Sequence, residues 1–262
     1  MRQTVSGIDR ETRGKERIGV DWKEELTGLV FPRRCPICDD IVRPRGELIC
    51  PECRSAISFV REPCCKKCGK ALDDPGREYC GDCLRHTRSF EAGISLLNYE
   101  GPAADSIARI KYHNKREYLD FYADEAVKRC GRRIKEIRPD VLIPVPVHPA
   151  RLRKRGFNQA EILAARLGKR LEIPVETKLL RRNRKTVPNK NLTPRERLKN
   201  LTAAFSADPV LAEAMRRDGV RRILIVDDIY TTGATVEACC RVLHHAGFEK
   251  AWFFTIGIGH GT

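Results

Sequence analysis

Beyond residue 88 the apolar residues fall into two alternating patterns, short continuous runs and longer stretches with one apolar face. The runs predict strands at 93–99, 141–147, 176–180, 203–206, 222–226 and 251–258. The stretches between them predict helices over 102–113 and 119–137, one from Asn158, one from Pro194, and a last one from about Thr235 to His245. Asn158 and Glu161 have the spacing of an N-cap and its N3 partner, and Ile162, Leu163 and Leu167 then face inward. Thr193, Pro194 and Glu196 place a cap, a first-turn proline and an N3 carboxylate in order, and Gly247 is a helix-ending glycine. Strands alternating with helices predict an α/β domain, a mainly parallel sheet flanked by helices.

Residues 35–83 follow a different rule. They hold nine of the twelve cysteines, and Cys35, Cys38, Cys50 and Cys53 recur thirty residues later as Cys65, Cys68, Cys80 and Cys83. Each unit is CxxC, eleven residues, CxxC, the arrangement that brings two thiolate pairs around a tetrahedral Zn²⁺. The reading is two structural zinc ions, one per repeat, because four thiolates leave no position for a catalytic water. Disulfides are the weaker alternative in a chain without the apolar core of a secretory signal. Cys64 breaks the repeat register and stays outside the set, with replacement of Cys65 as the alternative. The expected organisation is a loose tail over 1–21, a duplicated zinc-ribbon module over 22–88, and the α/β domain over 89–262.

Composition agrees with a soluble, cytoplasmic protein: 41% of residues are hydrophobic and 32% charged. The longest apolar run, 141–147, is broken by Pro144 and Pro146 and falls far short of the ~20 residues that span a membrane. Charge changes the picture more. The net charge is +15, and residues 151–200 carry sixteen Lys or Arg against four Glu. So local a positive field implies an anionic substrate or partner.

The segment ILIVDDIYTTGAT, 223–235, supplies the chemistry. Four consecutive apolar residues suit a central strand buried on both faces, and Asp227 and Asp228 follow where open parallel sheets collect ligands. Thr231, Thr232, Gly233, Ala234 and Thr235 lead into a helix, so hydroxyls and backbone N–H groups gather at a positive helix terminus suited to phosphate. Carboxylates beside a phosphate cradle match a sugar phosphate, whose hydroxyls need acceptors and whose phosphate needs donors. A nucleotide-hydrolase reading of the apolar run and acidic pair would require GxxxxGK[ST], and the chain has no such string.

Two basic runs would serve a departing polyanion. The first, 148–158, is expected as a loop with Arg151, Arg153, Lys154 and Arg155 and a hinge at Gly156. The second, 181–191, has no periodicity and is expected as a flexible lid, with Arg184 as a catalytic residue. Lys111 is a further phosphate-side cation. Cys130, Cys239 and Cys240 are expected to pack as small apolar residues, and His113, His148, His244 and His245 receive no role.

VDDIYTTGAT resembles the signature of type I phosphoribosyltransferases. The cysteine knuckles, NYEGPAADSIARIKYHNK, VPVHPARLRKRGFNQAE, RKTVPNKNLTPRERLKNL and ILIVDDIYTTGAT together resemble the ComF family in order and spacing. The resemblance implies that Asp227 and Asp228 take the ribose hydroxyls, that Thr231 to Thr235 take the 5′-phosphate, and that Mg²⁺ arrives with phosphoribosyl pyrophosphate. It also implies an association with DNA uptake and natural competence. Asn189 stands where the family usually has Gln. Two functions use all these motifs: an enzyme transferring phosphoribose to an acceptor, or a non-catalytic sensor of the metabolite that binds single-stranded DNA or DNA-uptake proteins.

Overall fold

Ile223, Leu224, Ile225 and Val226 are all fully buried, because the strand they form is covered on both faces. The computed structural model describes residues 32–184 and 194–259. Among the described residues two five-residue helices, α1 (Pro51–Ser55) and α2 (Gly81–Arg85), come first. The α/β part follows with β1 (Gly93–Asn98), α3 (Gly101–Tyr112), α4 (Tyr118–Ile137), β2 (Val141–Pro144), α5 (Pro149–Arg155) and α6 (Gln159–Leu171). It continues with β3 (Leu180–Arg182), α7 (Pro194–Thr202), β4 (Phe205–Ala207), α8 (Pro209–Arg217), β5 (Arg222–Tyr230), α9 (Ala234–His245) and β6 (Lys250–Ile258).

The main sheet has the order β1-β6-β5-β2 and every pairing in it is parallel. Alternate residues of each strand feed opposite core layers. Leu142, Leu224, Val226 and Phe254 share one layer with Ile107, Tyr122, Leu163 and Leu167 of α3, α4 and α6. Ile143, Ile223, Ile225 and Phe253 share the other with Met215 of α8 and Val236, Cys240 and Leu243 of α9. β3 and β4 form a separate antiparallel pair, with Arg182 opposite Phe205. The architecture is the expected one, a mainly parallel sheet with flanking helices preceded by two four-cysteine modules.

The cysteine repeat is also a structural repeat. Asp39 N–H donates to Cys35 O at 3.0 Å and Gly69 N–H to Cys65 O at 2.9 Å. Asp39 and Gly69 both have positive φ, 63° and 75°, and occupy the same place in their knuckles. Glycine is obligatory at the second: a Cβ on Gly69 would fall 2.5 Å from Gly93 O. Cys50 and Cys80 precede α1 and α2 as their N-cap residues. Cys35, Ile37 and Ile49 join the core layer of α3 and α4, whereas Cys65, Cys68 and Cys80 join the layer of α8 and α9. Residues from Arg34 onward form one compact unit.

Several expectations are corrected. The run at 148–158 is not a loop, because α5 occupies Pro149–Arg155; proline at its first position and His148 Nδ1 accepting from Ala150 N–H at 3.2 Å start it. His148 therefore has a capping role. Of the expected lid at 181–191 only the first four residues are described, and there Arg181 and Arg182 belong to β3 and Asn183 N–H donates to Ala204 O; 185–191 lie outside the described residues. That strand displaces the one expected at 176–180, of which only a bridge from Val175 to Leu142 exists nearby. Strand β5 runs on to Tyr230, four residues past the expected end, because β6 pairs alongside it as far as Ile258. The strand at 141–147 stops at Pro144. Helix α8 was not expected; Asp208 caps it by accepting from Val210 and Leu211 N–H groups. The N-cap at Asn158 is present, with Oδ1 accepting from Ala160 N–H at 3.1 Å. The tail at 1–21, the start of the module at 22–31, Thr193 and Asn189 lie outside the described residues.

Candidate functional site

The acidic pair sits inside the extended β5, with Asp227 8% and Asp228 5% exposed. Asp228 N–H donates to Asp227 Oδ1 at 2.8 Å, which fixes one carboxylate against the strand backbone. Burial pushes the Asp227 carboxyl up to about 8; the adjacent Asp228 charge adds to this, and the Asp228 amide, Lys111 and Arg182 oppose it. Two buried carboxyls side by side call for donors or cations.

Four basic residues answer. Lys111, in the last turn of α3, places Nζ 3.0 Å from Asp228 Oδ2, an ion pair off the line of a hydrogen bond. That oxygen is buried and has no hydrogen-bond partner among the described residues. Arg155 ends α5, is partly buried, and hydrogen-bonds Gln159 Oε1 of α6 while its guanidinium lies 5.7 Å from the Tyr112 ring centroid. Burial lowers its basicity and the Asp228 charge counteracts this, which places the two in one electrostatic environment. Arg182 of β3 lies over the Phe205 ring at 5.1 Å. Burial and then Arg151 lower its basicity, against Cys239 and Asp227, so Arg182 links the acidic pair to Arg151. The structure thus gathers Lys111, Arg155 and Arg182 toward Asp227 and Asp228, with exposed Arg151 in the field of Arg155 and Arg182. Arg184 is exposed just past β3.

The loop after β5 is built on Tyr230. Thr231 and Thr232 are exposed, Gly233 is buried at φ 74°, and α9 begins at Ala234 with no side chain capping it. Free N–H groups at that helix start are therefore available to an anion. The left-handed φ favours glycine, and so does space: a Cβ on Gly233 would fall 2.3 Å from Tyr230 Oη. Sequence reasoning did not single out Arg182 or Tyr230. Arg182 was one of several cations in an aperiodic run, and Tyr230 read as an apolar residue beside a motif.

At the other end, the Sγ atoms of Cys35, Cys38, Cys50 and Cys53 lie within 4.8 Å of one another, as do those of Cys65, Cys68, Cys80 and Cys83. A Zn–S length of about 2.3 Å in a tetrahedron sets sulfur atoms about 3.8 Å apart. Cys68 Sγ and Cys80 Sγ are 3.7 Å apart, so the donor set fits zinc. Cys64 is outside the cluster: its Sγ lies 3.2 Å from Arg61 O, and burial with the neighbouring Glu62 charge pushes its thiol up to about 11. Cys130, Cys239 and Cys240 are buried in helices. No helix among the described residues is long and apolar enough to cross a membrane.

The structure joins a duplicated four-cysteine module to a parallel α/β domain that carries an acidic pair and a glycine loop at the end of one strand. Residues 26–84 match the family model described as Double zinc ribbon domain. Competence protein F of Haemophilus influenzae is 29% identical over 228 residues, covering 84% of this chain and 94% of that protein. Competence protein ComFC of Bacillus subtilis is 28% identical, covering 85% and 93%, and DNA utilization protein YhgH of Escherichia coli K12 is 25% identical, covering 81% and 85%. Over most of its length the chain is similar to these proteins, which are named for competence and DNA utilization. A crystal structure of purine phosphoribosyltransferase from Pyrococcus horikoshii Ot3 overlaps 53% of this chain and 86% of that one at 17% identity and a TM-score of 0.29, too loosely to add to what the strand order says.

Proposed function

We propose that this protein binds phosphoribosyl pyrophosphate with Mg²⁺ and transfers phosphoribose to an acceptor, in the cytoplasm. The observation that carries the proposal is the meeting of opposite chemistries at the end of β5: a buried acidic pair, and directly after it an uncapped helix N-terminus behind Gly233. Asp227 and Asp228 accept from the ribose hydroxyls. The loop from Thr231 to Thr235 donates to the 5′-phosphate, and Lys111, Arg151, Arg155, Arg182 and Arg184 supply the positive side for pyrophosphate. Mg²⁺ prefers a few hard oxygen ligands and retained waters, which suits the unaligned oxygen of Asp228, and when bound it would neutralise the leaving group. The two cysteine clusters hold structural zinc and take no part in the chemistry.

A second reading draws on the names of the relatives, competence and DNA utilization. In it the same cradle senses the metabolite, and the basic residues of α5 meet single-stranded DNA or a DNA-uptake protein. A screen for pyrophosphate release over bases, nucleosides and single-stranded DNA separates the two readings. Release dependent on one acceptor supports the transferase. Silence with every acceptor, alongside intact ligand binding, overturns transfer in favour of the sensor.

A further inference from the structure

The two cysteine modules are near copies in sequence, yet the structure attaches them to different halves of the site. The first holds the Lys111 side. Arg109 of α3 donates to Ile37 O at 2.8 Å, and Lys115 Nζ lies 2.7 Å from Asp39 Oδ1, so the knuckle between Cys35 and Asp39 grips both ends of the turn that carries Lys111.

The second holds the loop side by three routes. Lys67, inside the Cys65–Cys68 knuckle, offers its carbonyl to Gly93 N–H at 2.8 Å, and Gly93 must be glycine because a Cβ there would fall 2.1 Å from the Phe253 ring. Phe253 is stacked on Tyr230 at 4.8 Å and 4°, and Phe90 meets both rings edge-on. Ser89 donates to Glu237, in the first turn of α9, from both its N–H and its hydroxyl, at 2.8 and 2.7 Å. Glu237 is 1% exposed. Arg88, two residues before Phe90, is anchored to Asp82 of α2 at 2.5 Å. A strip of half-buried Arg88 and Ser89 and buried Phe90 thus runs from the second module to both Tyr230 and α9.

Tyr230 is the end of that strip. It is 2% exposed, its hydroxyl has no hydrogen-bond partner among the described residues, and that hydroxyl fills the space where a Gly233 Cβ would sit. Burial raises its phenol, and Arg88, Cys68, Cys83 and Asp82 are the groups whose charges reach it. Each of those four belongs to the second module or its exit.

We propose that Tyr230 is a positioning residue through which the second cysteine module, and not the first, sets the conformation of the Gly233 phosphate loop. The metal state of Cys65, Cys68, Cys80 and Cys83 then controls the affinity for the 5-phosphate, giving the two modules different jobs. The ligand part of this rests on the phosphoribosyl reading; the mechanical part does not.

The test uses the full chain with selectively ¹⁵N-labelled glycine, and follows the Gly233 amide resonance in Tyr230→Phe, Cys83→Ser and Cys38→Ser, each checked by its melting curve. Tyr230→Phe and Cys83→Ser should both move the Gly233 amide, while Cys38→Ser, in the first cluster, leaves it in place. If Cys83→Ser does not fold, Arg88→Met replaces it and should move the same resonance. Ribose 5-phosphate affinity, by calorimetry, should fall about tenfold in the variants that move the amide. An unmoved amide in Tyr230→Phe, or equal movement by Cys38→Ser, overturns the proposal. Failure of ribose 5-phosphate to bind the unmodified protein overturns the phosphoribosyl reading and the affinity control, and leaves the mechanical link to be decided by the amide alone.

Discussion

Asp227→Asn should stabilise the ligand-free protein at alkaline pH and lose that advantage as the solution is acidified. The substitution keeps the shape of the side chain and an oxygen to accept from the Asp228 N–H, now at 2.8 Å from Oδ1, but removes the ionisation. Burial, reinforced by Asp228, raises the Asp227 carboxyl from 3.8 to about 8. Between those values the folded chain holds a proton that the unfolded chain releases, so stability falls as pH rises, by at most ~1.4 kcal/mol per pH unit, and levels off above the folded value. From pH 5 to pH 8 the native protein should therefore lose up to about 4 kcal/mol relative to Asp227→Asn. At roughly 2–4 °C per kcal/mol for a chain of this size, the two melting curves should separate by about 10 °C over that interval. Melting both proteins at pH 5, 6, 7 and 8 without ligand reads this directly. A gap that is constant with pH, or one that narrows toward pH 8, would refute the assignment of a buried, strained carboxyl to Asp227. The same variant should bind phosphoribosyl pyrophosphate poorly, the usual trade of stability for function at a site of this kind.

Three further outcomes follow from the same geometry. Lys111→Met removes the cation 3.0 Å from Asp228, and at pH 8 urea melts should show a loss of about 3 kcal/mol, shrinking at pH 5 as Asp227, whose carboxyl burial has raised to about 8, takes up its proton. Arg182→Met keeps packing against Phe205 but removes the charge near Asp227 and Arg151; pyrophosphate affinity measured by calorimetry should fall about tenfold while ribose 5-phosphate affinity holds. Metal analysis should return two zinc ions per chain, one for each four-cysteine cluster, and a strong chelator should lower the melting temperature.

What could be read from the sequence, and what could not, divides along the range of the interactions. Strands β1, β5 and β6 and helices α3, α4, α6 and α9 follow from apolar periodicity, because each is buried against the others by a face that its own residues define. The cysteine clusters follow from spacing, since a CxxC knuckle is a local structure. Helix α5 was hidden by its four cations: it is a short exposed helix with no buried face, started by Pro149 and the His148 cap rather than by amphipathicity. Strand β3 was misplaced because its register is set by Phe205 and Ala207 across the pair, not by its own pattern. At the site, Asp227, Asp228 and Gly233 announced themselves as a contiguous motif. Arg182 and Tyr230 did not, for their importance lies in contacts with Phe205, Phe90 and Phe253 that only the fold creates.

The central claim is that the end of β5 grips a phosphoribosyl group, and one titration tests it most directly. Phosphoribosyl pyrophosphate with Mg²⁺ should give a saturable calorimetric signal with the native protein, and Asp227→Ala combined with Asp228→Ala should abolish it while the melting curve remains cooperative. Equal binding by the native and doubly substituted proteins, or no binding by the native protein, would contradict the account.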